Sequence, residues 1–175
     1  MSTNPPRPFL ESYWVIPGQF LAGEHPGRFN LHETRSRVDA LLRGGIDTFI
    51  DLKSPGELPS YEEILQEQAH HRGRTAKLLN FPIEDRGLPS RLELTAILDT
   101  LDRTLANGQK VYLHCWAGVG RTGTVVGCYL VRHGKTGQQA LLQIAEWWQD
   151  VPQNRFFPRA PETDEQVRFI LDWKE

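Results

Sequence analysis

The sequence is poor in cysteine, with two among 175 residues. Two thiols cannot staple a small secreted scaffold, so a core must hold the chain together, and a reducing, cytoplasmic setting is expected. Long apolar runs are missing as well, since none approaches the roughly 20 residues that cross a bilayer. The opening MSTNPPRPFLES lacks the charged-then-apolar order of a secretory signal. Charge of one sign is not in excess either. A net charge of −2 and a pI near 6.3 give no global field to draw in nucleic acid or an anionic membrane, so neither is an expected partner. Internal repeats, low-complexity tracts and interdomain linkers are also lacking. What remains, 39% hydrophobic and 24% charged residues, is ordinary for one globular domain with a sizeable core, expected to be a monomer.

Residues 1–10, with three prolines, read as a flexible tail, and 11–175 as one domain. SYWVI and QFLAG are short strands separated by the turn Pro17-Gly18. Asn30 and Glu33 open a helix that stops at Gly44-Gly45 and places Leu31, Val38, Leu41 and Leu42 on one face. IDTFIDL is a strand, a helix from Ser60 to about His71 follows, and AKLLNFPI is the next strand. Ser90 with Glu93 starts a helix with 3.6-residue apolar spacing, closed by Asn107-Gly108. Further helices start at Thr136 and Thr163. Strands alternating with helices predict an α/β fold: a single domain with a central, largely parallel sheet flanked by helices. His70 and His71 read as a solvated helix end, and Trp147 and Trp148 as core packing.

The chain is organised around KVYLHCWAGVGRTG, residues 110–123. VYLHC is a buried strand, five loop residues follow, and GTVVGCYLV continues as a helix apolar nearly all round. A strand, a glycine-bearing turn and a helix N-terminus form an anion site of inward-facing amides. Cys115 opens this loop and Arg121 closes it. A helix N-terminus and a nearby cation favour the thiolate, the reactive form of a cysteine. The amides of Trp116, Ala117, Gly118, Val119 and Gly120 curl into a cradle for phosphate oxygens, onto which Arg121 forks. Gly118 and Gly120 allow the close approach that the curl needs. Thr122 is placed to donate its hydroxyl to the thiolate, and His114 to orient the loop.

HCWAGVGRTG resembles the HC-x5-R-[ST] signature of the protein tyrosine phosphatases, and specifically their dual-specificity branch. IPGQFLAGEHPG is similar to the opening of that group. The resemblance covers roughly residues 12 to 172 and implies the same fold, so that 11–175 is a phosphatase domain. The chemistry then requires a carboxylic acid on a loop to protonate the leaving oxygen and later to activate water. FPIEDRGLP resembles the family's acid loop and offers Asp85, with Glu84 as its rival. Gln166 is a plain helix residue or the glutamine that positions the hydrolytic water in some relatives, and Cys128 is core or a redox partner of Cys115. His25, Arg28 and Arg86 read as solvated loop charge or as a pocket rim. The expected activity is hydrolysis of phosphotyrosine, and of phosphoserine or phosphothreonine, in proteins, with catalytic Cys115, Arg121, Asp85 and Thr122. No cofactor or metal is required, since the arginine and amides do the charge work. Rival substrates are a phosphoinositide, a sugar phosphate or an RNA 5′-phosphate, and the rival class is a phosphate-binding module without turnover. Trp116, Ala117 and Val119 stand where a site for highly charged substrates would carry lysine, which weakens the inositide reading.

Overall fold

In a computed structural model, which describes residues 4–175, the chain forms an α/β domain. Strands β1 (Ser12–Ile16) and β2 (Phe20–Gly23) are followed by helix α1 (Leu31–Arg43) and β3 (Thr48–Asp51). Helix α2 (Glu62–His71), β4 (Lys77–Asn80), α3 (Arg91–Ala106) and β5 (Val111–His114) come next. Helices α4 (Gly120–Arg132), α5 (Gly137–Trp148) and α6 (Asp164–Asp172) complete the chain. The sheet order is β1-β2-β5-β3-β4, antiparallel only at the β1–β2 hairpin. β5 is therefore central, and its C-terminal end carries the loop on which the sequence centres.

Local chemistry sets the elements. Gly18, at φ 72°, turns the first hairpin, and Gln19 N donates back to Ile16 O. Ser90 with Glu93, Thr136 with Gln139 and Thr163 with Gln166 form complete capping boxes that fix the starts of α3, α5 and α6. Strand side chains alternate between faces. Val111 and Leu113 of β5 thus enter a core against α3, α4, α5 and α6, while Tyr112 enters a second core with α1 and α2. Trp148 is buried and Trp147 stacks on Tyr13, as core residues. α4 is buried on nearly every side, as its all-round apolar sequence requires. No helix among the described residues is long and apolar enough to cross a membrane.

Some boundaries differ from expectation. Ser60 accepts only from Glu62 N, and Tyr61 takes the cap position of α2 without a side-chain bond. Leu31 shares a heptad position with Val38 yet is exposed, because the buried stripe of α1 begins at Thr34 and Leu31 overhangs an open cavity. The segment before β1 makes specific contacts: Trp14 Nε1 donates to Pro5 O at 2.9 Å and an Arg7 guanidinium N–H to Ser12 O at 2.9 Å. Phe9 packs edge-on to Tyr112 beneath the Arg37 guanidinium. Residues 1–3 of the expected tail lie outside the described residues.

Candidate active site

Cys115 lies just beyond the carboxyl end of β5, where parallel sheets present ligands. The chain curls from Trp116 to Gly120 and enters α4, whose first turn already contains Arg121. Arg121 therefore rises from the helix start rather than from the loop. Gly118 adopts φ +74°, and a Cβ there would lie 2.4 Å from the Gly23 carbonyl carbon, so the cradle rests on the end of β2 and only glycine fits. The His25 amide, donating to Trp116 O at 2.8 Å, ties the same strand end to the cradle.

Thr122 Oγ1 donates to Cys115 Sγ at 3.1 Å. His114 is fully buried, with Nδ1 3.1 Å from Cys115 O and Nε2 2.8 Å from the Tyr61 hydroxyl. Nδ1–H then donates to the carbonyl, and Nε2 accepts from tyrosine. Burial, against the pull of Asp51, lowers the pKa of His114 to about 4, so the ring is neutral and holds the loop.

Arg121 is 2% exposed, and acceptors surround it. Glu57 takes both terminal nitrogens, at 2.7 and 2.9 Å, Ile83 O takes Nη1 at 3.0 Å, and Asp85 takes Nη2 at 3.1 Å. Burial alone would raise the pKa of Glu57, but hydrogen bonds from Arg121 and Ser54 outweigh it and hold the carboxyl below its usual range. On Arg121 itself burial acts downward and Glu57 upward, with the upward pull winning.

Asp85, rather than the exposed Glu84, reaches the arginine. Its loop turns at Arg86, the non-glycine residue at φ 60°, and is tied down beyond it. Arg86 pairs with Glu162 at 2.9 Å, and Gln166 Nε2 donates to Gly87 O at 3.2 Å. Cys115, Arg121 and Asp85 thus share a cleft of about 180 Å³, walled by Trp116, Ala117, Val119, Phe157, Arg86 and Glu162.

Four residues of this site are absent from the sequence expectations: Glu57, Glu162, Phe157 and Ile83 through its carbonyl. A buried arginine demands a counter-ion, and Glu57 in KSPGELP, beyond the end of a parallel strand, carried that signal. Gln166 is wholly buried, with Oε1 accepting from the Glu162 and Thr163 amides. His25 is buried rather than solvated, because the turn after β2 folds under Trp116, and Arg28 pairs with Glu24. Cys128 faces the core, where burial drives its thiol pKa far up, and both cysteines are free. His25, Asp51 and His114 bring donor atoms within 4.8 Å of one another. The Lys53 ammonium sits on Asp51 at 2.6 Å and both nitrogens of His114 are engaged, so these two members of the set are already committed within the layer under the cradle.

Comparison with known proteins bears on the family and the fold. Residues 10–166 match the family model described as the Swiss Army Knife, DSP-PTPase phosphatase domain. Protein tyrosine phosphatase domain-containing protein 1 of Mus musculus is 34% identical over 144 residues, 76% of this chain and 18% of that protein. Phosphatidylglycerophosphate phosphatase PTPMT2 of Arabidopsis thaliana is 32% identical over 102 residues, 57% of this chain and 41% of that protein. The chain therefore spans less than half the length of either relative. The crystal structure of Tk-PTP in its active form superposes with a TM-score of 0.70 at 25% identity, covering 91% of this chain and 93% of that one. On the family match across most of its length, the chain belongs to the dual-specificity branch of the protein tyrosine phosphatase superfamily.

Proposed function

We propose that this domain hydrolyses phosphotyrosine, and phosphoserine or phosphothreonine, in proteins through a phosphocysteine intermediate. The observation that carries the reading is Cys115 Sγ on the cleft floor, bonded by Thr122 and flanked by the buried Arg121. The phosphoryl dianion binds the cradle amides and Arg121. Nη1 is already committed to Glu57 and Ile83 O, and Nη2 to Glu57 and Asp85, so Nε–H is the remaining donor. A bidentate fork through Nε and Nη2 therefore displaces Asp85 from the arginine and leaves its carboxyl over the bridging oxygen. Thiolate Cys115 attacks phosphorus, the P–O bond breaks, and protonated Asp85 gives its proton to the leaving oxygen. Water then attacks phosphorus with Asp85 as base, and Thr122 supports the departing thiolate.

Trp116 and Phe157 suit a flat aryl group, and the cradle supplies no lysine for a second phosphate. A lipid phosphomonoester is the second reading, favoured by the relative named a phosphatidylglycerophosphate phosphatase.

The test is turnover of a small aryl phosphate with EDTA present, against a phosphotyrosine peptide and a micellar lipid phosphomonoester. Cys115→Ser should abolish turnover. Asp85→Asn should lower kcat by roughly 10²-fold and remove one limb of a bell-shaped pH profile. Full activity in Cys115→Ser would refute the mechanism, and a strong preference for the lipid would shift the substrate.

A further inference from the structure

Beside the catalytic cleft lies a second, mainly apolar cavity of about 140 Å³. Phe29, Leu31, Ile64, Tyr61, His25 and Trp116 line it, and Trp116 also walls the cleft, so one indole separates the two spaces. Three of these side chains are large, apolar and open to solvent: Phe29 is 102% exposed, Leu31 67% and Trp116 53%. Scattered exposed apolar residues mean little, but a cluster around a concave apolar opening marks a recognition surface. The opening is held in place, because the His25 amide donates to Trp116 O and the Arg28 amide to Thr34 Oγ1 at 2.8 Å. Its polar wall is His25, whose buried ring nitrogens make no well-aligned hydrogen bond among the described residues, the Pro59 carbonyl acting only as a minor pull on the ring. Burial lowers the pKa of that ring to about 3, so it adds no charge at neutral pH.

We propose that this cavity is a specificity subsite that receives one apolar side chain of the substrate polypeptide, next in space to the phosphorylated residue. The proposal rests on the protein-phosphatase reading above. The cavity adjoins the cleft, with Trp116 common to both linings, and this adjacency assigns the occupant to the molecule whose phosphate sits over Cys115. Size selects a single side chain, since about 140 Å³ is close to the roughly 150 Å³ of an apolar cavity that holds one benzene. With Arg28 paired to Glu24, the mouth offers no surplus charge to an acidic residue.

The experiment compares matched phosphotyrosine peptides with Leu, Phe, Ala or Asp at each position flanking the phosphoresidue, and a small aryl phosphate that cannot reach the cavity. The wild type should turn over the best Leu or Phe peptide with kcat/KM about tenfold or more above its Asp counterpart. Phe29→Ser/Leu31→Ser strips the rim and Ser60→Trp plugs the mouth from an exposed position. Each should reduce that ratio to about twofold or less by raising KM for the apolar peptide alone. Equal kcat/KM across the peptides, or a ratio that survives in both variants, would overturn the subsite while aryl phosphate turnover leaves the phosphatase reading intact. Micellar lipid phosphomonoester turned over faster than any peptide, with that advantage lost in the rim variant, would give the cavity to an acyl chain and overturn the proposal. Failure to hydrolyse any aryl phosphate or peptide would instead overturn the underlying reading, and the subsite with it.

Discussion

Arg121 must be rigid before substrate arrives and yet keep donors for it. Glu57 meets the first requirement by holding the guanidinium end-on, and in the proposed mechanism Asp85 meets the second by occupying a nitrogen that it surrenders to substrate. Replacing Glu57 with Gln keeps the shape but removes the charge that offsets a 2%-exposed cation. Charge-assisted bonds in partly buried pairs contribute about 1.5–3 kcal/mol, so Glu57→Gln should lower stability by about 2 kcal/mol in urea denaturation. Binding of orthovanadate, a phosphate mimic, should weaken in parallel, and unchanged values for both would show that Glu57 does not organise the arginine. Thr122 bonds the sulfur directly, so under the proposed mechanism Thr122→Ala should slow breakdown of phosphocysteine more than its formation. Rapid-quench trapping should then recover more labelled enzyme than from wild type.

At the scale of elements, the cradle is a contact between a loop and a strand end. Gly118 is held against Gly23 of β2, with positive φ and no room for a methyl group. Gly118→Ala should cost about 1–3 kcal/mol in stability and, by lifting the amides off the phosphate position, about 10²-fold in kcat/KM. Wild-type kinetics in that variant would show that the loop tolerates displacement. The acid loop depends on distant elements in the same way, since α6 and the segment before it supply Gln166 and Glu162 to hold Gly87 and Arg86. Placement of Asp85 is thus decided partly by the far end of the chain.

For the whole molecule, the layer under the cradle sets a pH limit. Burial is the main cause that lowers the pKa of His114 to about 4 and of His25 to about 3, against about 6.5 in an unfolded chain. Below pH 6.5 the unfolded chain takes up protons that the folded state refuses, so folding stability is complete above that pH and falls as pH drops toward 4. At pH 5 each imidazole should cost about 2 kcal/mol relative to neutral pH. Urea denaturation at pH 7.5 and 5.0 measures the difference, and His25→Gln should shrink it. Equal stability of the wild type at both pH values would refute the account.

The sequence by itself determined whatever is local along the chain. The cradle from Cys115 to Arg121 spans seven consecutive residues, so connectivity holds thiol and arginine near each other, and the burial of α4 follows from its all-round apolar face. The three capping boxes are equally local, each closing over three residues. Tertiary structure decided what joins distant segments: Glu57 on Arg121 across 64 positions, Gln166 on Gly87 across 79, and Asp85 rather than Glu84 on Arg121. It also buried His25 and left Leu31 over an open cavity. Such outcomes depend on which strand ends the sheet order sets side by side. Chain spacing fixes the contacts within one turn or loop, while contacts between elements are selected only when the core packs.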